Sequence, residues 1–190
     1  MSLIGVALAL GLLGATPARA DDHLLSGPHP MLKENSASVS LLIGNGLGDT
    51  FSGRGVGLGY GYMLQGPLWL DLQANLRTSA CNFFNGRCGT YAGDDVELLA
   101  GASWHFRTDV PAVPYVRGTA GLVYLYPRGA ISALGLAVRG AVGVRYYFFD
   151  WFGFGVEAAL SAGHAYFGSD YGGSHTYAVG DMVLGVEVQF

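Results

Sequence analysis

The stretch Tyr177 to Phe190, YAVGDMVLGVEVQF, constrains the chain more than any other. Counted back from the end, alternate residues place Phe190, Val188, Val186, Leu184, Met182, Gly180 and Ala178 on one face. Gln189, Glu187, Gly185, Val183, Asp181 and Val179 fall on the other. A period of two is the signature of a strand, so this one has an apolar face and a face that carries charges. The charges alternate with glycine and small residues, which suits a narrow polar interior better than an open aqueous surface.

The same alternation recurs along the whole chain. Strands are expected at about 36–44, 54–64, 68–78, 94–106, 115–126, 132–148, 152–166 and 177–190. The third is the most regular: Leu68, Leu70, Leu72, Ala74 and Leu76 alternate with Trp69, Asp71, Gln73, Asn75 and Arg77. In the second, Gly55, Gly57, Gly59 and Gly61 alternate with Val56, Leu58, Tyr60 and Tyr62. A dinucleotide-binding glycine loop would follow a strand and open a helix, and no helix follows here. Glycines on an inner wall instead leave room for long side chains from facing strands.

Composition points the same way. Of the 190 residues 51% are hydrophobic, only 13% are charged and 31 are glycine, an unusual mixture for a soluble domain. Past the N-terminus no run of about 20 apolar residues could cross a bilayer as a helix. Closed barrels are the other structure that satisfies every backbone group in lipid. The expected fold is therefore all-β, an eight-stranded antiparallel up-and-down transmembrane barrel over residues 36–190. The links 1–2, 3–4 and 7–8 are long and polar while 2–3 and 6–7 are tight, which sends long loops outward and tight turns to the periplasmic side. Aromatic residues cluster at both ends. Trp104, Phe106, Tyr115, Tyr146, Phe148, Phe149, Trp151, Phe152 and Phe190 fall at the tight-turn end, and Tyr124, Tyr126, Tyr166, Phe167 and Tyr177 near the other. Two interfacial belts are expected of such a barrel.

Leu3 to Leu13 is apolar and Ala18-Arg19-Ala20 precedes Asp21-Asp22, which reads as a secretory signal over residues 1–20. Residues 21–35, with Pro28 and Pro30, read as a periplasmic tail. Loss of Arg19 leaves nine of the ten basic residues against 14 acids, so no basic patch suggests nucleic acid. In an exported chain, Cys81 and Cys88 suggest a local disulfide. No cofactor or metal is called for.

These features resemble the eight-stranded outer-membrane barrels of the OmpA transmembrane-domain and OmpX type. The terminal Val186-Glu187-Val188-Gln189-Phe190 looks like the C-terminal signal that the barrel-assembly machinery recognises, with Phe190 as its terminal aromatic. The resemblance implies the outer membrane of a Gram-negative-type bacterium, a periplasmic N-terminus, and outer-membrane lipid and lipopolysaccharide as surroundings.

The inward positions carry Asp71, Glu97, Glu157, Asp181 and Glu187 against Arg77, Arg117, Arg139 and Arg145. Eight strands leave an interior just wide enough for side chains, and single buried charges are costly. Mutual pairing follows, and strand adjacency predicts a cluster of Arg117, Arg139, Arg145, Glu157 and Glu187, with Asp71 reaching it and Glu157 as the partner of Arg145. The expected role is structural, in envelope integrity, or surface interaction around a plugged lumen. Three alternatives stay open: a narrow, porin-like gated pore, an extracellular partner for the loop 79–93, and a lipid A-modifying enzyme built on Ser174, His175, His164 and Asp170.

Overall fold

The computed structural model describes residues 33–46, 52–80, 93–106, 108, 110–127, 132–166 and 174–190. Eight strands follow one another: β1 Asn35–Gly46, β2 Ser52–Gln65, β3 Leu68–Ala80, β4 Gly93–His105, β5 Ala112–Pro127, β6 Ala133–Phe149, β7 Phe152–Tyr166 and β8 Ser174–Gln189. Each pairs antiparallel with its neighbours, and β8 returns to β1 to close the barrel. Closure leaves no sheet edge with unpaired backbone groups, the condition that lipid imposes. At the seam Phe190 N donates to Asn35 O at 3.0 Å, and Asn35 N donates to Phe190 O at 3.2 Å.

Tight connections gather at one end, here the turn end, with the links 66–67, 106–111 and 150–151 and the seam at Asn35 and Phe190. The β2–β3 turn needs Gly66, whose φ of 57° is left-handed and strains any residue with a Cβ. Register shifts between Met63 and Gln65 and between Tyr147 and Phe149 absorb the two tightest reversals, as bulges do. The remaining links leave from the opposite, loop end. The signal segment, most of the tail, Cys81, Cys88, Phe167, Asp170 and most of the loop 79–93 lie outside the described residues.

Burial is inverted relative to a soluble domain. Leu72, Leu98, Leu136, Val142 and Leu160 are more than half exposed, whereas Asp71, Arg77, Glu97, Arg139, Glu157 and Glu187 are buried. Such a contiguous apolar exterior has no place in water, and it is what a lipid-facing wall requires. The sequence-derived alternation holds on every strand, and β7 matches its expected range of 152–166. Two belt assignments need correction. Tyr115 and Tyr177 are only 5% and 3% exposed and point inward, because they share strand parity with Arg117 and Val179; their hydroxyls serve the lumen instead of an interface.

Candidate functional site: the charged lumen

The interior is filled in layers that follow the pleat of the strands. At the turn end Trp69 and His105 stack with centroids 4.9 Å apart and planes 10° from parallel. The Tyr115 ring follows 5.5 Å from His105, and the Arg145 guanidinium lies over that ring at 4.6 Å, within cation–π range. Arg145 pairs with Glu187 at 3.0 Å. The same carboxylate accepts from the Tyr147 hydroxyl at 2.6 Å, and Gln189 donates to that hydroxyl at 2.6 Å.

Asp71, Arg117 and Glu157 make the middle layer. Arg117 is in close contact with Glu157 and reaches Asp71 at 3.8 Å, while the Tyr115 hydroxyl donates to Glu157 at 2.9 Å. Asp71 is the loosest member, since its Oδ2 is buried without a partner among the described residues. Arg139, one step nearer the loop end, links the layers through Glu157 at 3.4 Å and a short contact with Asp181.

The loop-end layer centres on Arg77. Its guanidinium meets Asp95 at 2.8 Å, Glu97 at 3.0 Å and Asp181 at 2.8 Å, using the planar fork that makes arginine suited to several carboxylates at once. Asn75 and the Tyr177 hydroxyl each donate to Glu97 at 3.2 Å. Beside this polar group the inner faces of β4–β8 bring Leu99, Val123, Leu125, Ala137 and Val179 together with Tyr177. Charge and apolar filling thus divide the lumen at this level.

The predicted cluster of Asp71, Arg117, Arg139, Arg145, Glu157 and Glu187 is present but split across two layers. Arg145 pairs with Glu187, not Glu157. Its Cα lies opposite Gly155 on β7, and Glu187 carries hydrogen bonds from Tyr147 and Gln189 at the same level. Glu157 belongs to Arg117 and Arg139. Sequence reasoning placed Arg77, Glu97 and Asp181 inside without joining them, and missed Asp95 altogether. Asp95 stands two residues from Glu97, so strand parity alone would have found it.

A small cavity of about 40 Å³ lies among the lumen side chains, between the Ser38, Ser40, Gly59 and Gly185 side and the arginines Arg117, Arg139 and Arg145. It is the size of one or a few water molecules. The alternating glycines of β2 are what leave this space: Cβ atoms at Gly57 and Gly59 would stand 2.6 and 2.4 Å from the hydroxyls of Ser40 and Ser38.

No protein-family model and no curated protein matches the chain. Solved structures do. Neisserial surface protein A is similar with a TM-score of 0.58 and 17% identity, over 82% of this chain and 96% of that one. The N-terminal β-barrel domain of Pseudomonas aeruginosa OprF gives a TM-score of 0.51 and 19% identity, over 83% and 99% of the two chains. This chain has the fold of the small eight-stranded outer-membrane β-barrels. Ail, the attachment invasion locus protein of Yersinia pestis, belongs to the same set with a TM-score of 0.51 and 17% identity, covering 84% of this chain and 100% of that one.

Proposed function

We propose that the chain is an integral outer-membrane barrel with a sealed lumen, serving envelope integrity or surface interaction and not bulk transport. The observation that carries this is the layered filling. Four arginines, Arg77, Arg117, Arg139 and Arg145, cross the interior to carboxylates on other strands, and the cavity among three of them holds only about 40 Å³. A path for a hydrated solute would require several of these buried pairs to open together, and separating buried partners is costly.

The apolar exterior supports a lipid surrounding; the proposal adds lipopolysaccharide around the wall, the barrel-assembly machinery as a partner of the C-terminal strand with its terminal Phe190, and an extracellular partner for the loop 79–93. Ail, the attachment invasion locus protein, and Neisserial surface protein A are examples of this fold whose names favour the surface-interaction reading. The proposal is of a non-enzymatic protein. In its support, the His164 ring lies 2.7 Å through Nδ1 from the hydroxyl of Thr176, its partner across β7 and β8.

Single-channel recording of the refolded mature chain in planar bilayers, with liposome fractionation to establish insertion, tests the sealed lumen. Silence from inserted protein is expected. A steady small conductance that changes in Arg145→Ala would instead establish a narrow pore running past the Arg145–Glu187 pair.

A further inference from the structure

The apolar outer wall is not of even height. In a closed barrel of eight strands the strands tilt by about 35–45°, so a row of paired residues, running across the strands, climbs as it goes round. The row that leaves β1 at Val39 passes Leu58, Ala74 and Leu98 and arrives on β8 at Thr176. Thr176 lies on the loop side of Val179, which already faces Gly46 at the loop end of β1. Rows therefore climb toward the loop end from β1 to β8.

The upper apolar edge follows such a row. Leu41, Val56, Leu76 and Val96 are successive partners, and the row continues through Tyr124, Leu134 and Tyr166 without a charge. One outward row higher, β1 keeps the apolar Ile43 and β2–β4 turn polar with Arg54, Thr78 and Asp94, while their partner on β5 is Tyr126. Leu134, Tyr166 and Tyr126 are 56%, 66% and 48% exposed. Because the row climbs, its β6–β7 end stands on the order of 10 Å nearer the loop end than its β2–β3 end, at a rise of about 3.3 Å per residue along tilted strands. At the turn end no matching step occurs: Leu64, Phe106, Phe148 and Phe190 are all exposed close to the turns or the seam.

We propose that the barrel presents the bilayer with a wedge-shaped hydrophobic profile, tall on β5–β7 and short on β2–β3, so that lipid covers Leu134 and Tyr166 and the bilayer thins beside β2–β3. Lipid is the occupant for two reasons. The tall sector is continuous with the lipid-facing wall beneath it, through Leu122 and Leu136. It also ends in its own amphipathic girdle, with Tyr124 against Tyr126 at 4.3 Å and His164 against Tyr166 at 4.9 Å, the residue types that settle where hydrocarbon meets headgroups. Arg54, Thr78 and Asp94 mark the water boundary on the other side. An apolar wall that varies in height is met by local thickening and thinning of the lipid.

The inference rests on the membrane-spanning proposal above, and spin-label depth measurements separate the two. Single cysteines would replace Leu134, Tyr166, Arg54, Thr78 and the mid-wall Leu72 in a Cys81→Ser, Cys88→Ser background. Each would be refolded into phosphatidylcholine–phosphatidylglycerol vesicles and checked for barrel circular dichroism. Labels at 134 and 166 should favour oxygen over a water-soluble nickel complex, as the label at 72 does, and labels at 54 and 78 should show the reverse. Nickel accessibility at 134 and 166 equal to that at 54 and 78 would overturn the wedge. Shielding of 134 and 166 from both reagents would overturn it in favour of a second copy packed on this sector. An aqueous label at 72 would overturn the membrane-spanning proposal itself. A wild-type measurement supports the same test: refolding yield should be higher in a mixture of short- and long-chain lipids than in either alone, and equal yields in all three would overturn the wedge.

Discussion

Arg145 reaches Glu187 across the width of β7, past Gly155. Removing the arginine strands a buried carboxylate whose remaining partners are the neutral Tyr147 and Gln189. Arg145→Leu should therefore destabilise by ~3–5 kcal/mol, as breaking a buried pair does, and Arg145→Leu with Glu187→Leu should recover most of the loss. Urea titration of protein folded into lipid vesicles measures both, and an unrecovered double variant would show that the pair is not the source of the cost. Arg77 holds three carboxylates, from Asp95, Glu97 and Asp181. Arg77→Met should cost more than Arg145→Leu in the same titration, because several acids then face one another with only Arg139 near.

At the scale of the strand, the two faces answer to different solvents. Leu72 on β3 is 55% exposed midway along the wall, and Leu72→Arg should cost ~2–4 kcal/mol near the bilayer midplane; no loss of stability would remove Leu72 from the lipid face. On the inner face, β7 passes β8 where Gly163 faces Tyr177. A Cβ at Gly163 would stand 2.3 Å from the Tyr177 ring, so Gly163→Ala should displace the tyrosine from Glu97 and cost ~1–3 kcal/mol by overpacking. Tyr177→Phe in the Gly163→Ala background should then cost little further, since the hydrogen bond is already lost. Strand bounds and faces were legible in the sequence because period-two alternation persists through all eight strands. The inward turn of Tyr115 and Tyr177 was legible too, by parity, but a tyrosine near a strand end suits an interface as well as a lumen.

At the scale of the whole molecule, closure determines what the lumen can hold. The aromatic stack of Trp69, His105 and Tyr115 closes the turn end, and the Arg77 and Arg139 pairs close the level toward the loops. Between them lies the small cavity beside Ser38 and Ser40. Truncating both seals, in Trp69→Ala combined with Arg77→Ala and Arg139→Ala, should join the cavity to both ends and give a measurable ion conductance where the wild-type chain is silent. Trp69→Ala alone should remain silent, because the upper pairs still block the path. Planar-bilayer recording distinguishes the cases, and conductance from the single variant would show that the upper layer does not seal.

The sequence by itself determined the class of structure. Alternation is a property of each strand alone, and too little charge with too much exposed apolar surface leaves lipid as the solvent of one face. It also determined which residues enter the interior, since parity places Arg77, Arg117, Arg139 and Arg145 there whatever the pairing. Which carboxylate each arginine meets was decided only by the tertiary structure. Partners such as Arg145 and Glu187 lie on strands that are not neighbours, and their meeting depends on the register around the closed barrel. The slanted upper edge is of the same kind: each strand carries its apolar run in sequence, but only tilt and closure set those runs at different heights.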